Sequence, residues 1–133
     1  MQLVKVLHFT FFLCLLLPTV VIQAADKVDF VLDIAPIFRD HCIGCHNPDD
    51  VKGGVSLATF KDLVATGYVV AGMPHKSPLL KIVTANGANP PAMPKKGLPL
   101  SRRQVALIHR WIANGAKWPK QIILGEKLKV ETS

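Results

Sequence analysis

Cysteine is scarce in this sequence. The 133 residues contain three, and one of them, Cys14, lies in an apolar N-terminal run. The other two, Cys42 and Cys45, fall in one short motif, so no thiols remain for a disulfide framework. The chain also lacks internal repeats and any nucleic-acid-binding motif, and its aromatic residues do not alternate with its basic ones. These absences argue against a disulfide scaffold, a repeat protein and a nucleic-acid-binding protein.

The N-terminal segment has the features of a secretory signal. Lys5 precedes an almost wholly apolar stretch over residues 6–22, and Ala24 supplies the small residue at a cleavage site. We therefore predict a signal peptide at 1–24, export to the periplasm or another extracytoplasmic space, and one domain at 25–133. Its removal leaves 109 of the 133 residues and lowers the formal charge from +7 to +6. An uncleaved membrane anchor is the alternative, and only in that case do we expect membrane contact.

The segment Cys42-Ile43-Gly44-Cys45-His46 is a Cys-x-x-Cys-His motif. This spacing predicts covalent attachment of one c-type haem. Two thiols three positions apart project the same way and can form thioethers with the two porphyrin vinyl groups, and Gly44 leaves room for the macrocycle. His46 is then carried beneath the ring, where its imidazole can bind iron as the proximal ligand.

Three other interpretations fit the same motif. A thioredoxin-like redox pair would need βαβ elements around it, and the sequence shows no credible strands there. A zinc site would need a further ligand from His41, His75 or His109, and adjacent Cys and His ligands fit a four-point cage badly. A plain structural disulfide is the third alternative. Export favours haem, because haem c is attached outside the cytoplasm.

The sixth ligand of the iron is predicted to be a methionine. Met93 lies in Pro90-Pro91-Ala92-Met93-Pro94, where the prolines restrict the backbone and hold the thioether in place. Methionine ligation would raise the reduction potential. Met73, in Gly72-Met73-Pro74, is the rival ligand, and His75 could substitute if that loop covers the iron.

Helical periodicity and capping signals predict four helices. The first should start with Pro36 at its first helical position, and the last should carry a capping box formed by Ser101 and Gln104. Ser77 should cap the third helix, ahead of Pro78. We also expect residues 122–124 to pack back on the domain, and residues 125–133 to form a polar tail.

Several motifs together resemble the planctomycete-type cytochrome c domain, a branch of the class I cytochromes c. They are Ile34-Ala35-Pro36-Ile37-Phe38, Cys42-Ile43-Gly44-Cys45-His46, Gly53-Gly54-Val55-Ser56-Leu57, Lys76-Ser77-Pro78-Leu79-Leu80, Ala92-Met93-Pro94 and Trp111-Ile112-Ala113-Asn114-Gly115-Ala116-Lys117-Trp118-Pro119. The resemblance covers about 33–119 and implies a small all-α fold wrapped around one covalently bound haem, with the first and last helices crossing. It implies thioethers at Cys42 and Cys45, His46 as proximal ligand and Met93 as distal ligand.

Two departures from the family pattern concern the methionines. Lys95 follows Pro94 where members often have Met-Pro-Pro. Ala71-Gly72-Met73 stands where Pro-Gly-Asp or Pro-Gly-Asn is common, which supplies the rival ligand Met73.

From these observations we expect an exported monohaem electron carrier rather than an enzyme. Lys95, Lys96, Arg102 and Arg103 are expected to form a docking patch for an acidic redox partner. The alternatives are a gas-binding or catalytic haem protein with an open sixth site, and a haem subunit of a membrane redox complex.

Overall fold

The structure, a computed structural model, describes residues 27–125. The predicted signal peptide and residues 126–133 of the predicted tail lie outside this range. The described chain forms four α-helices, which we label α1 (Ala35–His41), α2 (Phe60–Ala65), α3 (Pro78–Val83) and α4 (Arg102–Ala113). A π-helix, Phe30–Ile34, precedes α1, and two short 3-10 helices lie at Lys52–Gly54 and Pro74–Lys76. No strand occurs over 27–125, only two isolated bridges, so the predicted all-α class is confirmed.

The first helix begins earlier than predicted. Pro36 does lie in the first turn of α1, but α1 starts at Ala35 and continues directly from the π-helix. Two carboxylates stabilise this upstream turn: Asp29 accepts a hydrogen bond from the Leu32 N–H at 2.9 Å, and Asp33 accepts one from the Asp29 N–H at 2.8 Å. These bonds satisfy N–H groups that a helix start leaves without intrahelical partners.

The two middle helices are short and begin at polar residues. Thr59 caps α2 by accepting a hydrogen bond from the Asp62 N–H at 3.1 Å, and Gly67, at a φ of 70°, lets the chain turn away after it. Ser77 is the residue before α3, but its hydroxyl makes no cap bond. It accepts from the Val70 N–H and donates to the Met73 carbonyl instead, which fastens the preceding loop.

The last helix has the predicted capping box. The Ser101 hydroxyl accepts from the Gln104 N–H at 3.2 Å, and the Gln104 side chain accepts from the Ser101 N–H at 2.8 Å. Both bonds satisfy backbone donors at the start of α4. The helix ends before Gly115, whose φ of 91° only glycine adopts at little cost.

An aromatic cluster joins the two ends of the domain. Phe30 lies 4.1 Å from Trp118 and 5.9 Å from Trp111 between ring centroids, and Phe38 meets Trp111 edge-on at 5.8 Å. Such pairs stabilise beyond the area that they bury. The π-helix and α1 therefore pack against α4. The largest fully buried side chains are those of Trp111, Phe38, Ile34, Leu63, Ile108, Ile112 and Leu124.

The chain after α4 returns to the core, as predicted. Leu124 is buried, and its N–H donates to the Ala58 carbonyl at 2.8 Å. Among the described residues, no helix combines the length and the apolar character that crossing a bilayer requires.

Candidate functional site

One cavity of about 370 Å³ opens at the C-terminal end of α1, between the loop that follows this helix, α3 and the segment before α4. Its volume falls within the usual range for bound small molecules and cofactors. Apolar side chains form most of its wall, namely those of Val55, Leu57, Leu79, Ile82, Val83 and Leu100. A largely apolar ligand with a polar edge fits these surroundings.

The Cys-x-x-Cys-His motif forms a tight turn on this cavity. The Cys42 carbonyl accepts hydrogen bonds from the N–H groups of both Cys45 and His46, each at 3.1 Å. The turn directs Ile43 into the protein interior, where it is buried, while Cys42, Cys45 and His46 all line the cavity. Both cysteines are free thiols in this structure.

A backbone carbonyl fixes the orientation of the His46 ring. Nδ1 of His46 lies 3.1 Å from the Val55 carbonyl oxygen, and this bond requires the ring proton on Nδ1, because a carbonyl only accepts. Nε2 then keeps its lone pair and is the nitrogen available to a metal. The sequence analysis missed Val55, because a carbonyl contribution leaves no trace in residue type.

Met93 shares the cavity with the motif, and Met73 does not. Met93 is half-buried and lines the wall, and its N–H donates to the Ile82 carbonyl at 2.8 Å, which anchors the segment to α3. Met73 is 42% exposed and lies outside the cavity, as does His75, which is also exposed. The structure thus brings the predicted ligand together with His46 and leaves both rivals apart.

His41 lines the cavity beside Cys42 and connects it to α4. Its Nε2 lies 3.1 Å from Nε2 of Gln104, the residue that completes the capping box. His109, by contrast, is exposed on α4 and lies outside this cavity.

Burial controls the chemistry of the first thiol. It raises the pKa of Cys42 from 9.0 to about 12, because the thiolate would lose its hydration there. Charged residues at the cavity are mostly cationic: Arg39, Lys52, Lys95 and Lys96 line it, against Asp40 alone. A ligand with carboxylates at its edge would meet favourable charges there.

The alternatives to haem gain no support from the described residues. No strands surround the cysteine pair, as a thioredoxin-like site would require. Over 27–125, no three side chains of His, Cys, Asp or Glu are grouped to hold a metal ion, as zinc would require. The donors that do meet, two thiols, one imidazole and one thioether around an apolar cavity, fit haem c.

Comparison with known proteins gives one family. A family model described as Planctomycete cytochrome C matches residues 42–97, from the first cysteine of the motif to the glycine after Lys95 and Lys96. Over these residues the match confirms the resemblance that the sequence motifs indicate, and the matched segment includes both His46 and Met93. No curated protein and no solved structure shows significant similarity to the chain.

Proposed function

We propose, from the premise that residues 42–97 form a planctomycete-type cytochrome c domain, that this protein is an exported monohaem c-type cytochrome that carries electrons. When bound, the haem supplies reversible one-electron exchange at its iron, between Fe(III) and Fe(II). The chain provides attachment, ligands and surroundings.

The observation that carries the proposal is the meeting of four side chains in one cavity. Cys42 and Cys45 would hold the porphyrin through thioethers, His46 would bind iron through Nε2, and Met93 would bind it through its sulfur. The Val55 carbonyl supports this assignment, because its bond to Nδ1 holds the imidazole in the tautomer that iron needs.

The apolar part of the cavity wall suits electron transfer. Leu57, Leu79 and Val83 are buried apolar residues, so they exclude water and offer no proton donor or acceptor. A low-dielectric wall, with His46 and Met93 held in place as ligands, would reduce the rearrangement that accompanies a change of iron charge.

Export completes the proposal. Cytochrome c domains belong typically outside the cytoplasm, and the sequence of residues 1–24 predicts the signal that would take the chain there. We propose cleavage after Ala24 and a periplasmic location. Mass spectrometry of the purified protein should give an N-terminus at Ala25, whereas an intact Met1 would favour a membrane-anchored subunit.

Haem attachment is tested by producing the protein in a host with a cytochrome maturation system. We expect haem staining at the size of the chain on a denaturing gel, one haem per chain, and its loss in the double variant Cys42→Ser/Cys45→Ser. Cys14→Ser, outside the motif, is the matched control and should keep the stain. Absence of the stain from the unaltered protein would disprove the proposal.

The absorption spectrum tests the axial ligands. The oxidised protein should show the weak long-wavelength band of sulfur bound to ferric haem. High-spin features without that band would refute Met93 ligation and favour the gas-binding or catalytic alternative with an open sixth site.

A further inference from the structure

A second groove shares part of its wall with the haem cavity. It has a volume of about 630 Å³ and opens between the end of α3, the loop that follows α3 and the first half of α4. Val83 and Leu100, both buried, line this groove as well as the haem cavity. We call it the α4 groove and define it by six of its lining residues, Val83, Leu100, Arg102, Val105, Ala106 and His109.

One face of α4 forms a wall of this groove. Its four lining residues there, Arg102, Val105, Ala106 and His109, follow one another at helical spacing, which places them on the same side of the helix. Arg102 and His109 are two turns apart, or about 10.5 Å along the axis. Val105 and Ala106 lie between them, so this wall is apolar in the middle and has a permanent charge at one end.

Arg102 is the group that would decide the charge of a ligand. No aspartate or glutamate is among the lining residues, and residues 63–125 contain none. The Thr84 hydroxyl, which also lines the groove, already donates to the Leu80 carbonyl at 2.6 Å. A ligand would therefore meet apolar surface and a guanidinium that no acidic side chain of the groove neutralises, which favours an apolar body with an anionic group.

The chemistry of arginine narrows the class of ligand further. A guanidinium binds a carboxylate through two parallel hydrogen bonds, and it also stacks on aromatic rings. A small aromatic carboxylate could use both properties at Arg102. The volume of the groove falls in the usual range for small-molecule sites. A rigid ring also loses less conformational entropy on binding than a flexible chain does.

We infer that the α4 groove binds a small aromatic carboxylate, with the carboxylate on Arg102 and the ring against Val105 and Ala106. Because Val83 and Leu100 also line the haem cavity, the bound negative charge favours Fe(III), which carries one more positive charge than Fe(II). Occupancy of the groove and oxidation of the iron therefore favour each other. The binding itself is independent of the proposed electron-transfer function, and the coupling to iron rests on it.

The holoprotein is titrated with 2-naphthoate, since haem then fills the first cavity and leaves only the groove open to the probe. Amide chemical shifts of the ferrous form are followed by NMR. We expect shifts at residues 80–91 and 99–109. The neutral 2-naphthamide should bind about threefold to tenfold more weakly, because it lacks the charge that pairs with an exposed arginine. Decanoate, a flexible chain with the same charged group, should also bind more weakly.

Matched variants locate the site. Arg102→Gln should reduce the affinity for naphthoate to that for naphthamide, whereas Arg103→Gln removes the same charge at an exposed neighbour outside the groove and should change it by less than about twofold. Ala106→Leu should abolish binding of both probes by filling the space over α4. Ala113→Leu, at an exposed position of α4 outside the groove, should leave binding unchanged.

The coupling to the iron is measured in two independent ways. Naphthoate should bind the ferric form roughly threefold more tightly than the ferrous form, and saturating naphthoate should lower the reduction potential. At about 59 mV per tenfold change, the threefold preference corresponds to a fall of about 28 mV. The sulfur–iron band is recorded for each variant and each ligand, which shows whether Met93 stays bound.

Four results would overturn the inference. Shifts centred outside residues 80–109, or binding that survives Ala106→Leu, would place the ligand elsewhere. Equal losses in the two arginine variants would mean that net charge alone governs binding. Tighter binding of decanoate would exclude the aromatic class, and equal affinities of the ferric and ferrous forms would exclude the coupling. These failures in a holoprotein with the expected haem stain and spectrum leave the proposed function intact.

Discussion

The imidazole Nδ1 of His46 lies 3.1 Å from the carbonyl oxygen of Val55, nine residues further along the chain. Gly53 and Gly54 lie between them, at φ values of 65° and 72°. The left-handed backbone at these two glycines returns the chain to the ring that it must orient. Ordinary residues adopt this conformation only with strain.

Replacing Gly54 should therefore disturb the haem site as well as the fold. Gly54→Ala is expected to cost about 1 kcal/mol of unfolding free energy, because a Cβ is unfavourable at this φ. Gly87→Ala, at a φ of 60° and away from the cavity, should cost a similar amount. Urea unfolding measures both costs. Only Gly54→Ala should also shift the reduction potential, so equal potentials in the two variants would speak against orientation of His46 by Val55.

The methionine pair gives a second prediction. Met93→Ala should abolish the sulfur–iron band and lower the potential by a sizeable part of the roughly 0.8 V that axial ligands span. Met73→Ala should leave spectrum and potential unchanged, because Met73 is exposed and outside the cavity. If Met73→Ala lost the sulfur–iron band instead, Met73 and not Met93 would be the sulfur ligand of the iron.

A third prediction concerns the buried Cys42 thiol in the chain produced without haem. Burial raises the pKa of Cys42 from 9.0 to about 12, so the folded state keeps a proton that the unfolded state releases above pH 9. Unfolding free energy of the haem-free chain should therefore fall between pH 9 and 12, by up to about 1.4 kcal/mol per pH unit from this group.

Urea unfolding at several pH values, in the presence of reductant, measures that slope. Cys42→Ala should remove its contribution, and Cys45→Ala is the matched control that should retain it. A slope unaffected by Cys42→Ala would mean that the thiol is accessible to water.

The aromatic cluster should dominate stability. Trp111 is 2% exposed and contacts the rings of Phe30 and Phe38. Its Nε1–H donates to the Lys117 carbonyl at 2.8 Å. Trp111→Ala should cost about 3–5 kcal/mol in unfolding of the holoprotein. Leu32→Ala, at a side chain 78% exposed, should change stability by less than about 0.5 kcal/mol. A small effect at Trp111 would be incompatible with this packing.

Local signals in the sequence were sufficient where the interaction itself is local. The capping box of Ser101 and Gln104 involves residues three apart, and α4 starts where this pattern predicts. The tight turn that holds Cys42, Cys45 and His46 together likewise follows from their spacing in the sequence.

Interactions between distant segments were not predictable from local patterns. The π-helix begins where Phe30 packs on Trp118, 88 positions away along the chain. Ser77 was expected to cap α3, but its hydroxyl bonds the backbone of the preceding loop at Val70 and Met73, because these backbone groups compete with the cap. Val55 acts through its backbone, for which no residue type is diagnostic.

The 4.1 Å approach of the Phe30 and Trp118 rings also means that the beginning and the end of the domain are neighbours in space. Both rings lie outside residues 42–97, the segment shared with the family. A transfer of this domain into another protein should therefore include the segments on both sides of 42–97. The two junctions with the host protein can then lie close together. The same proximity makes the domain a natural subject for circular permutation, with new ends opened in the exposed turn at 86–89.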